Sequence, residues 1–99
     1  MLEHVVLIKP KPDVDQSAVA ALWSGIAGLK GRIPGIEAIA LGDNVSPEGK
    51  HQGFTLGFIV SFVDRAALDV YLPHPDHVTV VPLVRAVAED LIVFDVERT

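Results

Sequence analysis

Apolar residues along this chain gather in four short stretches that polar and turn-forming segments separate. These stretches are residues 2–8, 36–41, 54–62 and 91–96. Short apolar runs bounded by glycine, proline and small polar residues are typical of β-strands. The longest connection, residues 42–53, is rich in glycine and polar residues. It predicts a broad loop between the second and third strands.

The segment between the first two predicted strands repeats its apolar residues at helical spacing instead. Asp15 or Ser17 can cap the start of this helix, and Gly31 is placed to end it. Because apolar positions three and four residues apart share one side of a helix, a single stripe would face the core. The stripe consists of Val19, Leu22, Trp23, Ile26 and Leu29.

Two further helices are predicted before the last strand, and prolines divide them. Asp64 can cap a short helix over residues 65–72. Pro75 can open the next helix at its first position, where the missing N–H costs little. Residues 78–88 continue that helix, but they include Pro82. We expect Pro82 to break the helix and restart it.

The order of the elements is β-α-β-β-α-β, with an extra helical piece before the last strand. This order predicts an α+β fold of the ferredoxin-like type, in which a four-stranded antiparallel sheet carries its helices on one face. The length of 99 residues suits a single domain spanning residues 1–99. A chain of this size buries a modest fraction of its surface, so association with another chain is a natural supplement.

The strands are apolar on both faces, although a sheet face that meets water should be polar. Val5 and Leu7 form one apolar face of the first strand. Val6 and Ile8 form the opposite one, and residues 91–94 are apolar throughout. Large exposed apolar patches mark interfaces. We therefore expect a homodimer in which two four-stranded sheets face each other and form a dimeric α+β barrel.

Composition narrows the classes of partner. The net charge is −5 and no cluster of lysine and arginine exists, so nucleic acid and anionic membrane surfaces are poor partners. No apolar run approaches the roughly 20 residues of a membrane span. The absence of cysteine excludes disulfides, thiolate chemistry and cysteine–zinc sites. No secretion signal is visible, and a cytoplasmic location is the expectation.

Polar chemistry is concentrated in residues 71–77, where a phenol, two imidazoles and a carboxylate stand among two prolines. These side chains are Tyr71, His74, Asp76 and His77. With Pro75 opening a helix, His74 lies near its N-cap and His77 in its first turn. Histidine can exchange a proton near neutral pH. The segment is therefore a candidate acid/base site.

On the first strand, His4 shares a face with Val6 and Ile8, so it points at the helices if that face is the inner one. We expect His4, Tyr71 and His77 to be the catalytic groups of a small apolar pocket between sheet and helices. The expected ligand-binding residues around them are Val6, Ile8, Trp23 and His74. The alternative is a buried tyrosine and histidine that satisfy each other's hydrogen bonds and fix the bend of the chain.

A metal site is a weaker alternative. His74 and His77 have the spacing of metal ligands, and His4 or Asp76 could complete a set. Against it, Pro75 alters the geometry between the two histidines, and nothing else in the sequence points to a third ligand. We expect no metal and no other cofactor.

Several motifs occur in an order that resembles the stress-responsive A/B barrel (Dabb) family, and they cover essentially the whole chain. They are His4-Val5-Val6-Leu7-Ile8-Lys9, the turn Ile33-Pro34-Gly35-Ile36, the loop Gly42…Asn44…Ser46…Glu48-Gly49, Tyr71-x-x-His74-Pro75-x-His77 and the closing Leu91-Ile92-Val93-Phe94-Asp95. The resemblance implies a dimeric α+β barrel. That agrees with the fold expected from strands that are apolar on both faces.

Within this family, the chain resembles plant polyketide cyclases of the olivetolic acid type at His4, Tyr71 and His77. The resemblance implies that Tyr71 and His77 act as an acid/base pair in an intramolecular aldol closure. The chain departs from the cyclase at Leu56, where the cyclase has another pocket histidine. Cofactor-independent monooxygenation of an electron-rich aromatic ligand is a related alternative. Other members have stress-associated roles, so a non-catalytic structural or ligand-binding dimer stays open as well.

Overall fold

Four strands and three helices follow one another in the order β1-α1-β2-β3-α2-α3-β4 in the computed structural model, which describes residues 1–99. The elements are β1 (Leu2–Pro10), α1 (Gln16–Ala27), β2 (Ile36–Asp43), β3 (Leu56–Phe62), α2 (Arg65–Tyr71), α3 (Pro75–Val87) and β4 (Ala88–Glu97). None of these helices combines the length and the apolar character that a membrane crossing requires.

The strands form one antiparallel sheet in the order β2-β3-β1-β4. The predicted α+β ferredoxin-like fold is confirmed, with β1 central and β2 and β4 at the edges. Residues that pair directly across antiparallel strands point to the same side of the sheet. Val5, for example, pairs with Ile59 of β3 and with Phe94 of β4. The pairings therefore assign each strand residue to one of two faces.

One face packs under the helices and supplies the core. On β1 this face carries Leu2, His4, Val6 and Ile8, which are all buried. The opposite face has no helix over it. We call it the open face, and it consists of Glu3, Val5 and Leu7 of β1 with their cross-strand partners Gly57, Ile59, Ser61, Ile92, Phe94 and Val96, and Ala38, Ala40 and Gly42 of β2.

The predicted helix starts are confirmed because each capping side chain accepts a hydrogen bond from a backbone N–H of the first turn. Asp15 caps α1 through the N–H of Ser17, and Asp64 caps α2 through that of Ala67. His74 caps α3, which opens with Pro75. These caps satisfy donors that have no partner inside the helix.

Two predicted helix boundaries are wrong. α1 ends at Ala27 with Gly28 as its C-cap, before Gly31, because the chain turns there to bury Leu29. α3 runs through Pro82 without a break. Proline removes one hydrogen bond from a helix interior. The buried side chains Val80 and Val87 on either side hold α3 against the core despite that loss.

Gly35 lets α2 approach the start of β2 closely. Its φ is +90°, and a Cβ built there would lie 2.6 Å from the Cβ of Ala67. Its carbonyl accepts a hydrogen bond of 3.0 Å from the N–H of Val63, just before α2. Gly31 has the same φ of +90° but open space around it. The two glycines thus share a backbone constraint and differ in packing.

We expect Gly35→Ala to destabilise the protein more than Gly31→Ala. Both variants place a side chain in left-handed backbone, at a cost of about 1–2 kcal/mol. Gly35→Ala adds overpacking against Ala67, which typically costs about 1–3 kcal/mol more. Urea unfolding of both variants measures the difference. Adding Ala67→Gly should recover part of the Gly35→Ala loss; equal losses in the two single variants would contradict the packing role.

Candidate functional site

The structure brings Tyr71, His4 and His77 together in one aromatic cluster. Tyr71 is the last residue of α2, His77 lies in the first turn of α3 and His4 comes from β1 below them. The Tyr71 ring centroid lies 5.8 Å from that of His4 and 4.2 Å from that of His77. Phe62 of β3 packs against Tyr71 at 4.9 Å and supports the cluster from the sheet. Sheet and helix layers both contribute to this site.

His4 is held by a carboxylate that the sequence prediction missed. Its Nδ1 lies 2.5 Å from Oδ1 of Asp95, the residue directly opposite it on β4. A carboxylate only accepts hydrogen bonds, so Nδ1 is the donor. In neutral His4 the lone pair is then on Nε2. Asp95 belongs to a motif noted in the sequence, but only the β1–β4 register places it beside His4.

His77 is oriented by the backbone. Its Nδ1 lies 2.8 Å from the carbonyl oxygen of Leu72, so this nitrogen donates as well. Neutral His77 therefore also presents Nε2 as a proton acceptor. The bend at Pro73 brings Leu72 and His77 within reach of each other. The two histidines of the cluster thus have the same tautomer, fixed by different partners.

Tyr71 is 1% exposed, yet its hydroxyl makes no hydrogen bond to another residue. Glu3 Oε2 is the one fully enclosed side-chain oxygen or nitrogen without a partner. The Tyr71 hydroxyl and His4 Nε2, which also has no protein partner, therefore each retain some contact with solvent. Burial raises the pKa of Tyr71 from 10.0 to about 12. The hydroxyl is thus a neutral hydrogen-bond donor at neutral pH.

His74 lies beside this cluster in sequence but has a structural contact. Its Nδ1 accepts a hydrogen bond of 3.0 Å from the N–H of Asp76. The same nitrogen lies 4.0 Å from the Asp76 carboxylate, where an ion pair would need it protonated. The shorter bond, which needs Nδ1 unprotonated, describes the cap better. No group of three or more histidine and carboxylate side chains is arranged to hold a metal ion.

Three further residues predicted to line a pocket lie in or against the core. Val6 and Ile8 are buried on the helix-covered face of β1. Ile8 is four residues from His4, or about 13 Å along the strand. Trp23 packs against the core from α1 and is half-buried. The ring cluster and these three residues do not surround either of the two main depressions of the surface.

The larger of those depressions has a volume of about 580 Å³ and lies beside the β2–β3 loop. Its lining combines open-face residues such as Leu7 and Ile59 with polar loop residues such as Lys50 and His51. It is thus separated from Tyr71 by the sheet. The glycine-rich, polar sequence of residues 42–53 predicted a broad loop and gave no indication of a depression there.

The motifs noted in the sequence are part of a match that covers nearly the whole chain. Residues 2–98 match the Stress responsive A/B Barrel Domain (Dabb) family. The chain belongs to this family. The resemblance drawn from the ordered motifs is confirmed, and the ferredoxin-like topology agrees with it.

Related proteins are similar over nearly their full length. The stress-response A/B barrel domain-containing protein HS1 of Arabidopsis thaliana is 31% identical over 98 residues, covering 99% of this chain and 90% of HS1. Olivetolic acid cyclase of Cannabis sativa is 24% identical over 94 residues, covering 95% of this chain and 93% of the cyclase. A crystal structure from Jannaschia sp., described as a dimeric ferredoxin-like protein of unknown function, has 28% identity and a TM-score of 0.88, covering 98% of each chain.

Tyr71 is the only tyrosine of the chain, so the absorbance of tyrosinate reports this residue alone. We expect it to ionise near pH 12 in the native protein and near pH 10 in urea. Because folding raises this pKa, stability should fall as pH rises through that interval, by up to about 3 kcal/mol. Tyr71→Phe should remove that part of the pH dependence. A native midpoint near pH 10 would show that the hydroxyl is not desolvated.

Proposed function

We propose that this protein is a homodimer joined through its open faces, and that each subunit has an acid/base site for an enolisable, polyketide-like compound. The observation that carries the chemistry is the Tyr71 hydroxyl. It belongs to a buried side chain, is protonated and has no protein partner, and it lies between two histidines whose Nδ1 atoms already hydrogen-bond to Asp95 and to the Leu72 carbonyl. A neutral donor next to proton acceptors is what an aldol closure requires.

The exposed apolar residues of the open face support the dimer. Phe94 is 59% exposed and Ile92 is 43% exposed on β4. Leu7 on the neighbouring β1 and Ile59 on β3, the strand beyond it, are exposed as well. The Jannaschia protein of the same fold is described as dimeric. Glu3 on the same face also supports the dimer. Its Oε1 accepts a hydrogen bond from Ser61, while its Oε2 is enclosed and has no hydrogen-bond donor. A second copy covering this face can supply that donor.

The proposed reaction begins with a proton transfer from the substrate. His77 Nε2 removes a proton from a carbon between two carbonyl groups, and the C–H electron pair becomes an enolate. The enolate carbon then forms a bond to the carbon of another carbonyl group farther along the same molecule. The oxygen of that carbonyl takes the Tyr71 proton. Tyr71 recovers a proton from protonated His77, directly or through water, and loss of water from the product allows an aromatic ring to form.

Within this proposal, Asp95 and His4 hold the opposite side of Tyr71. The carboxylate keeps the donor nitrogen of His4 toward itself, so Nε2 can accept a hydrogen bond from a substrate hydroxyl or from water. The similarity to olivetolic acid cyclase supports this class of chemistry, since the cyclase name describes a ring closure. The chain has Leu56 where the resemblance to the cyclase implies a further pocket histidine, so the proposal carries over the class of chemistry and not the cyclase's own substrate.

The close ring packing around Tyr71 favours a second candidate function. The cluster fills its own space, and the main depression lies on the other side of the sheet. A stress-linked dimer that binds a small molecule without converting it fits that arrangement. The similarity to HS1, named as a stress-response protein, supports this candidate too. The two candidate functions differ in whether the protein converts the compound that it binds.

We expect Leu7→Glu to dissociate or unfold the protein, because it places a charge in the proposed interface without a partner. Leu7 is 37% exposed on the open face, whereas Val45, in the β2–β3 loop, is 90% exposed. Val45→Glu is the matched control and should leave assembly unchanged. Sedimentation at micromolar concentration measures the oligomeric state of both variants. A stable wild-type monomer under these conditions would overturn the dimer.

For the site, we expect Tyr71→Phe and His77→Ala to weaken binding of a hydroxylated aromatic ligand while the dimer persists. Losing one hydrogen bond to a neutral group costs on the order of 1 kcal/mol, or several-fold in affinity. Calorimetric titration with one such ligand measures this, and Val78→Ala, at an exposed position of α3, is the control.

The same proteins should then be given a linear tri-β-keto thioester, with product analysed by mass. Conversion by wild type that Tyr71→Phe reduces supports the cyclase-like activity. Binding without conversion supports the second candidate. No binding by wild type, or equal binding by wild type and both site variants, would reject the proposed site.

A further inference from the structure

His74 makes three hydrogen bonds that join the end of α2 to the first turn of α3. Its N–H donates to the carbonyl oxygen of Tyr71 at 3.0 Å, and its own carbonyl oxygen accepts from the N–H of Val78 at 2.9 Å. Its Nδ1 accepts from the N–H of Asp76 at 3.0 Å. One residue therefore connects the last residue of α2 to both chain neighbours of His77.

These hydrogen bonds place His77 as well as the helix. Asp76 and Val78 stand on either side of His77 in the chain, so holding their N–H groups also holds the backbone between them. The ring of His77 projects from this backbone to a centroid distance of 4.2 Å from the ring of Tyr71. The cap of α3 is thus also a support of the ring cluster.

The three histidines of this region respond differently to an additional proton. His4 and His77 donate from Nδ1, so the proton enters at Nε2 and leaves their hydrogen bonds in place. His74 uses Nδ1 as an acceptor, and a proton on that atom removes the hydrogen bond. Among these three residues, acid therefore breaks the contact of His74 alone.

Asp76 is the one acidic residue within ion-pair distance of the His74 ring, with a carboxylate oxygen 4.0 Å from Nδ1. From α2 the ring meets Tyr71, whose hydroxyl stays protonated where histidine titrates. His77 of α3 and His4 of β1 lie on the other side of Tyr71. A protonated His74 ring is attracted to the Asp76 carboxylate, so protonation exchanges the cap for an ion pair.

We propose that His74 is a positioning residue of the candidate site, and that it holds His77 against Tyr71 only while its ring is neutral. An ordinary histidine takes up a proton at about pH 6.5. Above that range the ring caps α3; below it the cap is lost, the first turn loosens and the two rings separate. This inference rests on the proposed function, in which His77 is the base and Tyr71 the proton donor, and it makes that pair sensitive to acid.

Proton NMR measures the ring contact without any substrate, because the chain has one tyrosine and four histidines. The nuclear Overhauser effect between the Tyr71 and His77 rings should weaken in wild type from about pH 8 to about pH 5. Over the same interval, the protection of the Val78 N–H from hydrogen exchange should fall roughly five-fold, as loss of an N-cap typically causes.

His74→Asn separates the cap from the proton. Asparagine is among the preferred N-cap residues and does not titrate in this range, so this variant should keep the ring contact at acid pH. His74→Ala has no cap and should have the weaker contact at both pH values. His51→Asn is the matched control, since Nδ1 of His51 accepts a comparable hydrogen bond of 3.2 Å from the N–H of Gly53 in the β2–β3 loop. It should respond to pH as wild type does.

Two results would overturn the proposal. One is a wild-type ring contact that persists unchanged in acid. The other is an equal loss of contact in wild type and His74→Asn, which would assign the effect to protonation of His4 or His77. Asp76→Asn leaves the His74 ring in place and removes the ion pair, so it should shift the loss of contact to lower pH. Loss at an unchanged pH would reject the exchange of cap for ion pair.

Conversion of the linear tri-β-keto thioester over the same pH interval separates this inference from the proposed function. Wild type should lose conversion more steeply in acid than His74→Asn, because two histidines take up protons in the one and a single histidine in the other. Equal pH profiles with normal conversion would overturn the positioning role and leave the activity intact. No conversion at any pH would reject the activity, and the NMR contact would still decide the role of His74.

Discussion

A sheet has two faces, and the three helices of this chain cover one of them; most of the structure follows from that constraint. On β1, alternate residues enter the core under the helices, while Val5 and Leu7 between them remain uncovered. β4 is exposed on both sides from Leu91 to Val96. A chain of this length has too few elements to cover its sheet twice. In the proposed dimer, a second copy of the chain supplies the cover for the open face.

The candidate site lies where the helical layer bends. Pro73 and Pro75 stop one helix and start the next, His74 caps the new helix, and the Leu72 carbonyl holds His77. These local contacts fix the turn with little contribution from distant residues. The sheet then supplies His4 from below. A site made this way depends on both layers keeping their spacing, which Phe62 and the core around it maintain.

Local signals explain how far the sequence could predict this structure. Strand alternation, capping side chains and the proline-flanked turn are short-range features, and they predicted the fold, the helix starts and the grouping of Tyr71 with His77. Asp95 was missed because its role depends on the register between the first and last strands, which no local pattern encodes. The uninterrupted α3 was missed for a similar reason, since long-range packing outweighs the local cost of Pro82. The depression beside the β2–β3 loop likewise arises only from the arrangement of strands.

Neighbouring residues of β4 serve two different surfaces. Asp95 turns toward His4 and the ring cluster, while Phe94 and Val96 on either side turn to the open face. An edge strand has a partner on one side only, so whatever steadies Phe94 also steadies the carboxylate next to it. In the proposed dimer, the proposed ligand binding and self-association are then thermodynamically linked: a ligand held better by the assembled form must strengthen assembly by the same factor. Apparent ligand affinity would consequently depend on the concentration of the protein itself.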